Sequence, residues 1–234
     1  LLDFDTALAR LLDAARPVAE TEELPLLEAE GRVLAAPLSS GIDVPPLDNS
    51  AMDGYAVRCA DVLAAGTRLP LSQRIPAGTV GHRLAPASVA RIFTGAPVPE
   101  GADAVVMQEL CGREGDTVVV NHVPHAGENI RRRGEDIRAG SAILVAGTRL
   151  TPQALGLAAS IGVPRLPVFR RLRVALFFTG DELAMPGEPL PPGAIYNSNR
   201  FVLRGLLERL GCVVTDLGNV PDTLAATRAA LREA

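Results

Sequence analysis

The sequence predicts an α/β chain of more than one domain, and three observations predict it. Apolar residues at helical spacing open the chain. Residues 41–140 are punctuated every few positions by Gly and Pro, with short β-like runs between them. From residue 171 onward the pattern alternates strand, helix, strand, helix. With 234 residues, 47% of them hydrophobic, the chain can bury a sizeable core and divide into domains.

Each element has its own justification. Leu8, Leu11, Leu12 and Ala15 share a helical face, with Asp3 or Asp5 as N-cap and Pro17 as the stop. LPLL, residues 24–27, suits a short strand. EAEGRVLAAPL, residues 28–38, reads as a brief helix broken at Gly31 or ended by Pro37. In the Gly/Pro-rich region the runs SVARIF, DAVVM, DTVVVNHV and SAILV read as strands of a small β-rich domain. TPQALGLAASIG, residues 151–162, returns to helix, with Thr151 as cap, Pro152 at the first helical position and Gly162 past the end.

RLRVALFF, residues 171–178, shows no alternation, so it reads as a strand buried on both faces of a sheet. A helix follows at 197–211, with Val202, Leu203, Leu206, Leu207 and Leu210 on one side and Gly211 as its stop. CVVTDLG is the next strand, and a last helix is capped by Asp222. This order implies the right-handed βαβ opening of a parallel sheet. Two strands cannot cover both faces and both edges, and no strand follows the last helix, so the sheet reads as incomplete and the chain as stopping inside a domain.

Charge and composition narrow the classes. The net charge is −4 and the pI about 5.5. No basic domain stands out, so nucleic acid is not an expected partner. All 23 basic residues are Arg, so no lysine of this chain can act as a base or bind a phosphate. Cys59, Cys111 and Cys212 are odd in number and form no CxxC, which favours a reduced, cytoplasmic protein. The apolar run at 174–178 and the uncharged run at 154–163 fall well short of the ~20 residues a membrane span requires. The N-terminal residues carry no basic leader and no cleavage site, so no secretory signal is read there.

Four stretches carry chemistry. DNSAMDGYAV, residues 48–57, puts Asp48, Asn49, Ser50 and Asp53 within six positions, more than a turn requires. IFTGAPVPEGADAVVMQE runs a strand into Thr94-Gly95, where a hydroxyl and an amide can meet an anion; a plain hairpin-like connection is the competing reading. GENIRRRGEDIRAG places Arg131 and Arg133 on one face of a strand, which suits phosphate, and sets Glu135 and Asp136 beside them for Mg²⁺. The competing reading there is a solvated charge run with internal ion pairs. In the fourth, an apolar strand ends in Thr179-Gly180-Asp181-Glu182, where ligands of open parallel sheets bind. Asn197 or Ser198 then opens a helix, whose N-terminus favours anions. His122 and His125 have metal-like spacing, but Pro124 prevents a helix and no third ligand is evident.

Together the four stretches resemble the MoeA family, the molybdopterin molybdenumtransferases, to which the gephyrin C-terminal domain is also similar. The resemblance runs from Asp5 to about Pro221. It implies an N-terminal helix, residues 1–20, packing with the third domain. It implies a mixed first domain at 21–40 and 141–171, an inserted β-rich second domain at 41–140, and the start of an α/β molybdopterin-binding third domain at 172–234. It implies Mg²⁺-dependent insertion of molybdate into adenylylated molybdopterin with release of AMP. A homodimer with shared active sites is implied too, with a molybdopterin adenylyltransferase as pathway partner.

By motif position, the resemblance puts Asp53, Thr94, Asp136 and Glu182 in the catalytic cleft. Asp48, Ser50, Arg131, Arg133, Asp181 and Ser198 are the expected substrate-binding groups. Asp53, Asp136 and Glu182 are candidate Mg²⁺ ligands, with direct ligation unassigned. The family's Gly-Gly-Val-Ser, Lys-Pro-Gly-Lys-Pro and Gly-Asn-Pro motifs do not occur in these residues. The alternative is a gephyrin-like scaffold that binds a peptide without catalysis. A sugar- or nucleotide-binding module is less favoured, because neither GxGxxG nor a Walker A loop is present.

Overall fold

The computed structural model describes residues 2–234. Along the chain the elements are α1 (Phe4–Ala14), β1 (Thr21–Pro25), β2 (Leu38–Ser39), β3 (Asn49–Ser50), β4 (Gly54–Val57), β5 (Thr67–Ile75), β6 (Val89–Ile92), β7 (Ala104–Met107), β8 (Cys111–Glu114), β9 (Thr117–Val120), β10 (Ile130–Arg131) and β11 (Ala142–Leu144). There follow α2 (Pro152–Ser160), β12 (Arg165–Phe169), β13 (Arg173–Thr179), β14 (Leu183–Ala184), β15 (Ile195–Tyr196), α3 (Ser198–Arg209), β16 (Val213–Val220) and α4 (Leu224–Glu233). The chain divides into two compact units. One holds the chain up to Pro37 with Val145–Ala159 and Val163–Ala234; the other holds Leu38–Leu144 and Ser160–Gly162.

The second unit is built on a six-stranded sheet in the order β7-β4-β6-β5-β9-β8. All of its pairings are antiparallel except β5 with β6. Side chains alternate between two apolar clusters, as the pleat requires. Tyr55, Val57, Val89, Ala104 and Val106 enter one; Ala56, Ala90, Ile92 and Val105 enter the other. Every residue of β4 is therefore buried. Gly54 opens β4 where backbones crowd: a side-chain carbon there would lie 2.1 Å from the Val106 carbonyl oxygen. Two short ladders complete the unit, β3 with β10 and β2 with β11.

In the first unit β1 pairs with β12 antiparallel, and Leu34, Leu150, Leu166 and Val168 are buried. Further along, β13 and β16 run parallel, with α3 between them in sequence. The short β14 and β15 are also parallel. Asp3 caps α1 by accepting the Thr6 N–H at 2.9 Å.

Several sequence expectations need correction. No helix forms at 28–38. A 3₁₀ turn at Leu26–Glu28 is followed by Gly31 at φ +72, a left-handed conformation that a right-handed helix cannot contain. The chain then runs extended, bridging Val33 to Arg149 and Leu34 to Val168. The strand expected at 24–27 instead covers Thr21–Pro25. β13 is half-exposed rather than buried on both faces, and it pairs with β16 along one edge. α4 is capped by Thr223, not Asp222, through the Ala226 N–H at 3.2 Å. No helix among the described residues is long and apolar enough to cross a membrane.

Candidate active site

The stretch around Asp48 and Asp53 lies where three loops of the second unit are stitched together. Ser50 pairs with Ile130 and Asn49 with Arg131. The Ser50 N–H donates to the Ala96 carbonyl, and the Ser50 carbonyl accepts the Gly95 N–H, each at 2.9 Å. The Ala51 N–H donates to the Asn129 carbonyl at 2.9 Å. These bonds bring the loop after β3, the turn after β6 and β10 together. Asp53 and Thr94 belong to the first two, and Asp136 follows β10 in the chain.

Asp53 and Thr94 meet directly. The Asp53 Oδ1 atom accepts both the Thr94 N–H and the Thr94 hydroxyl, each at 2.8 Å. These two bonds, the backbone one first, hold the Asp53 carboxyl below its ordinary value of 3.8. Asp53 Oδ2 accepts no hydrogen bond among the described residues. The pair is a fixed, ionised carboxylate with one oxygen to spare.

The arginine run behaves differently from the strand reading. β10 ends at Arg131, so Arg131 and Arg133 do not share a strand face. Each guanidinium has its own carboxylate. Arg131 Nη2 donates to both oxygens of Asp136 at 2.6 Å, and its Nε reaches Glu135 at 3.3 Å. Arg132 Nη1 donates to Asp48 at 2.7 Å, and the Arg133 N–H to the other Asp48 oxygen at 2.8 Å. Arg133 Nε reaches Asp43 at 2.6 Å. The network of internal ion pairs is the arrangement present. Asp43 was not anticipated; as a lone acid between Ile42 and Val44 it carried no signal.

Ser50 is buried and bonds within its own turn. Its hydroxyl donates to the Met52 carbonyl at 2.6 Å and accepts the Met52 N–H at 3.3 Å. That is a turn-forming role. The histidines share one acid: His122 Nε2 lies 2.8 Å from Glu128 Oε1, and the His125 N–H donates to Oε2 at 3.0 Å. Cys59 and Cys111 are poor nucleophiles, their thiols pushed up to about 11 by burial.

Asp181, Glu182 and Ser198 lie in the first unit. Asp181 Oδ1 accepts the Asp222 N–H at 3.3 Å. The Glu182 carboxylate lies over Gly180, where a side-chain carbon would sit 2.6 Å from Oε2. Asn197, not Ser198, caps α3, accepting the Arg200 N–H at 3.1 Å. Asn197 is buried and also donates to Asn219 at 2.7 Å, which in turn donates to the Leu183 carbonyl at 3.0 Å. Ser198 is left exposed in the first helical turn.

Among the described residues no three His, Cys, Asp or Glu side chains are gathered to hold a metal ion. A dedicated cage is therefore not the arrangement here. Mg²⁺ needs less: one or two carboxylates, with substrate phosphates and water supplying the rest. The spare oxygen of Asp53 fits that demand.

The fold and its matches define the class first. A β unit precedes a parallel α/β segment, and residues 175–234 match the model described as a probable molybdopterin binding domain. Residues 2–162 match the MoeA N-terminal region, domains I and II. This chain belongs to the MoeA family. A molybdopterin molybdenumtransferase of Haemophilus influenzae is 42% identical over 226 residues, covering 96% of this chain and 56% of the relative. One from Synechococcus elongatus is 43% identical over 230 residues, covering 95% and 57%. A crystal structure of the molybdopterin biosynthesis MoeA protein of Pyrococcus horikoshii superposes with a TM-score of 0.91 at 34% identity, covering 100% of this chain and 63% of that one. The chain thus spans little more than half the length of these curated relatives.

Proposed function

We propose that this chain is part of a cytoplasmic molybdopterin molybdenumtransferase. Its reaction is the Mg²⁺-dependent insertion of molybdate into adenylylated molybdopterin, with release of AMP. The observation that carries the proposal is the match to relatives bearing that name over 96% of the chain.

The local chemistry supports it. Both substrates are anionic and one carries a pyrophosphate. Thr94 holds one Asp53 oxygen with two donors, which fixes the rotamer and keeps the acid ionised. The other oxygen would hold Mg²⁺, which when bound polarises the phosphoryl group. The Arg131 guanidinium already meets both Asp136 oxygens through Nη2, and an anionic phosphate would compete with Asp136 for that charge. Asp136 is then the acid released or retained beside it. No side-chain nucleophile is called for, because the dithiolene sulfurs are the ligands of the inserted metal.

The proposal includes a homodimer in which Asp53 of one protomer serves with Glu182 of the partner subunit. A two-fold axis makes two such sites at once. A molybdopterin adenylyltransferase supplies the adenylylated substrate. The test uses the full-length protein. Supplied with adenylylated molybdopterin, molybdate and Mg²⁺, it should release AMP and yield loaded cofactor, and a Mg²⁺ chelator should stop both. No AMP release would rule the reaction out. For the shared site, mixing inactive Asp53→Ala and Glu182→Ala dimers should restore part of the activity. No recovery after proven subunit exchange would place both residues in one protomer's site.

A further inference from the structure

We infer that Arg91 is a positioning residue, which locks the Asp53–Thr94 pair in place by gripping both of the segments that carry it. This rests on the proposed role of Asp53. Arg91 projects from β6 opposite Tyr55 of β4. Its Nη1 donates to the Gly54 carbonyl at 2.8 Å, one residue beyond Asp53, and also reaches the Ile92 carbonyl at 3.3 Å. Its Nη2 donates to Gln108 Oε1 at 2.5 Å. The N–H of Gln108 in turn donates to the Asp53 carbonyl at 3.0 Å. The guanidinium also lies 4.5 Å from the ring centre of Phe93, the residue before Thr94, and 5.3 Å from that of Tyr55. Arg74 covers Phe93 as well, at 4.6 Å.

One planar group therefore touches the residue after Asp53, the residue before Thr94, and the side chain whose backbone holds Asp53 itself. Lysine cannot do this, because a single ammonium has no flat fork to bond two acceptors while stacking on a ring. Among the described residues Arg91 has no carboxylate partner within ion-pair distance. Its positive charge also helps hold the Asp53 carboxyl low. A half-buried charge that only strengthened the sheet would not need this set of contacts at the Asp53 end.

The test uses the full-length protein with Arg91→Lys and, leaving the guanidinium in place, Gln108→Ala. Arg91→Lys should lower kcat about 10- to 100-fold, the usual cost of losing a group that orients a ligand-bearing side chain, and change KM much less. In an Asp53→Asn background the same substitution should cost almost nothing further, since the two act as one unit. Gln108→Ala should show a weaker version of the same pattern. Amide exchange at Thr94 should quicken in Arg91→Lys while the β9 amides stay protected. An unchanged kcat, or a loss that persists in full beside Asp53→Asn, overturns the inference. If the wild-type protein inserts no metal, the proposed function fails, and Thr94 exchange decides alone: quickening supports the positioning role and no change overturns it.

Discussion

Residues 54–57 and residues 173–179 are both apolar strands, yet one is buried throughout and the other is half-exposed. β4 has hydrogen-bonded neighbours on both edges, β6 and β7, and an apolar cluster on each face. β13 is bonded on one edge, to β16. The next helix along the chain, α3, with its C-cap Leu210, leaves Phe201, Val202, Leu203, Leu206 and Leu210 exposed. Composition is not what separates the two regions. A strand is buried by its neighbours, and an apolar run reports only that it can be. The candidate carboxylate pair Asp53–Thr94 is attached to the closed region, whereas Glu182 follows the open one.

The contrast can be broken or sharpened by substitution in the 234-residue chain, with unit-resolved amide exchange as the measure of local stability. Gly54→Ala should have the largest effect. The added carbon collides with the Val106 backbone, which no rotamer change can relieve, and the cost should be about 3 kcal/mol or more. Ile92→Ala, at a fully buried position, should destabilise the β unit by about 2–5 kcal/mol. Leu176→Ala in β13 should cost less than half as much, since that side chain already meets solvent. Equal losses at Ile92 and Leu176 would mean that the two strands are buried alike.

The smallest expected effect is electrostatic. The Asp43 carboxyl is held below its ordinary value of 3.8, first by the Ala139 N–H and then by Arg133. A lowered folded value means that the stabilisation is complete above 3.8 and fades as the pH falls below it. Asp43→Asn should therefore lower the melting temperature of the β unit slightly at pH 7 and make little difference in strong acid. A deficit that grows on acidification would contradict that assignment.

Much of this was legible in the sequence, and the misses have physical causes. Four strands of the β unit (β6, β7, β9 and β11), the helix at 152–160 and the parallel βαβ order followed from periodicity and from Gly and Pro punctuation, whereas β4, β5 and β8 were not read. The helix read at 28–38 failed because Gly31 turns left-handed and tertiary bridges hold Val33 and Leu34 extended. The α4 cap slipped by one residue, to Thr223, because Asp-Thr offers two equivalent candidates; of the two candidates left open at 197–198, Asn197 is the cap. The motifs pointed to Asp53 and Thr94, and the structure joins them. They did not reveal that each of three adjacent arginines has its own acid, because those acids lie up to 90 positions away. Arg91 left a faint trace: a charge inside VARIF, at a position where the strand pattern wants an apolar side chain.

The central claim is that Asp53, held by Thr94, serves chemistry rather than the fold. The most direct measurement is AMP release by full-length Asp53→Asn, taken together with its melting curve. The carboxamide keeps an oxygen for both Thr94 donors, so stability should stay within about 0.5 kcal/mol of wild type. Turnover should fall at least about 100-fold, because the spare anionic oxygen is gone. Undiminished turnover with an unchanged melting curve would contradict the account.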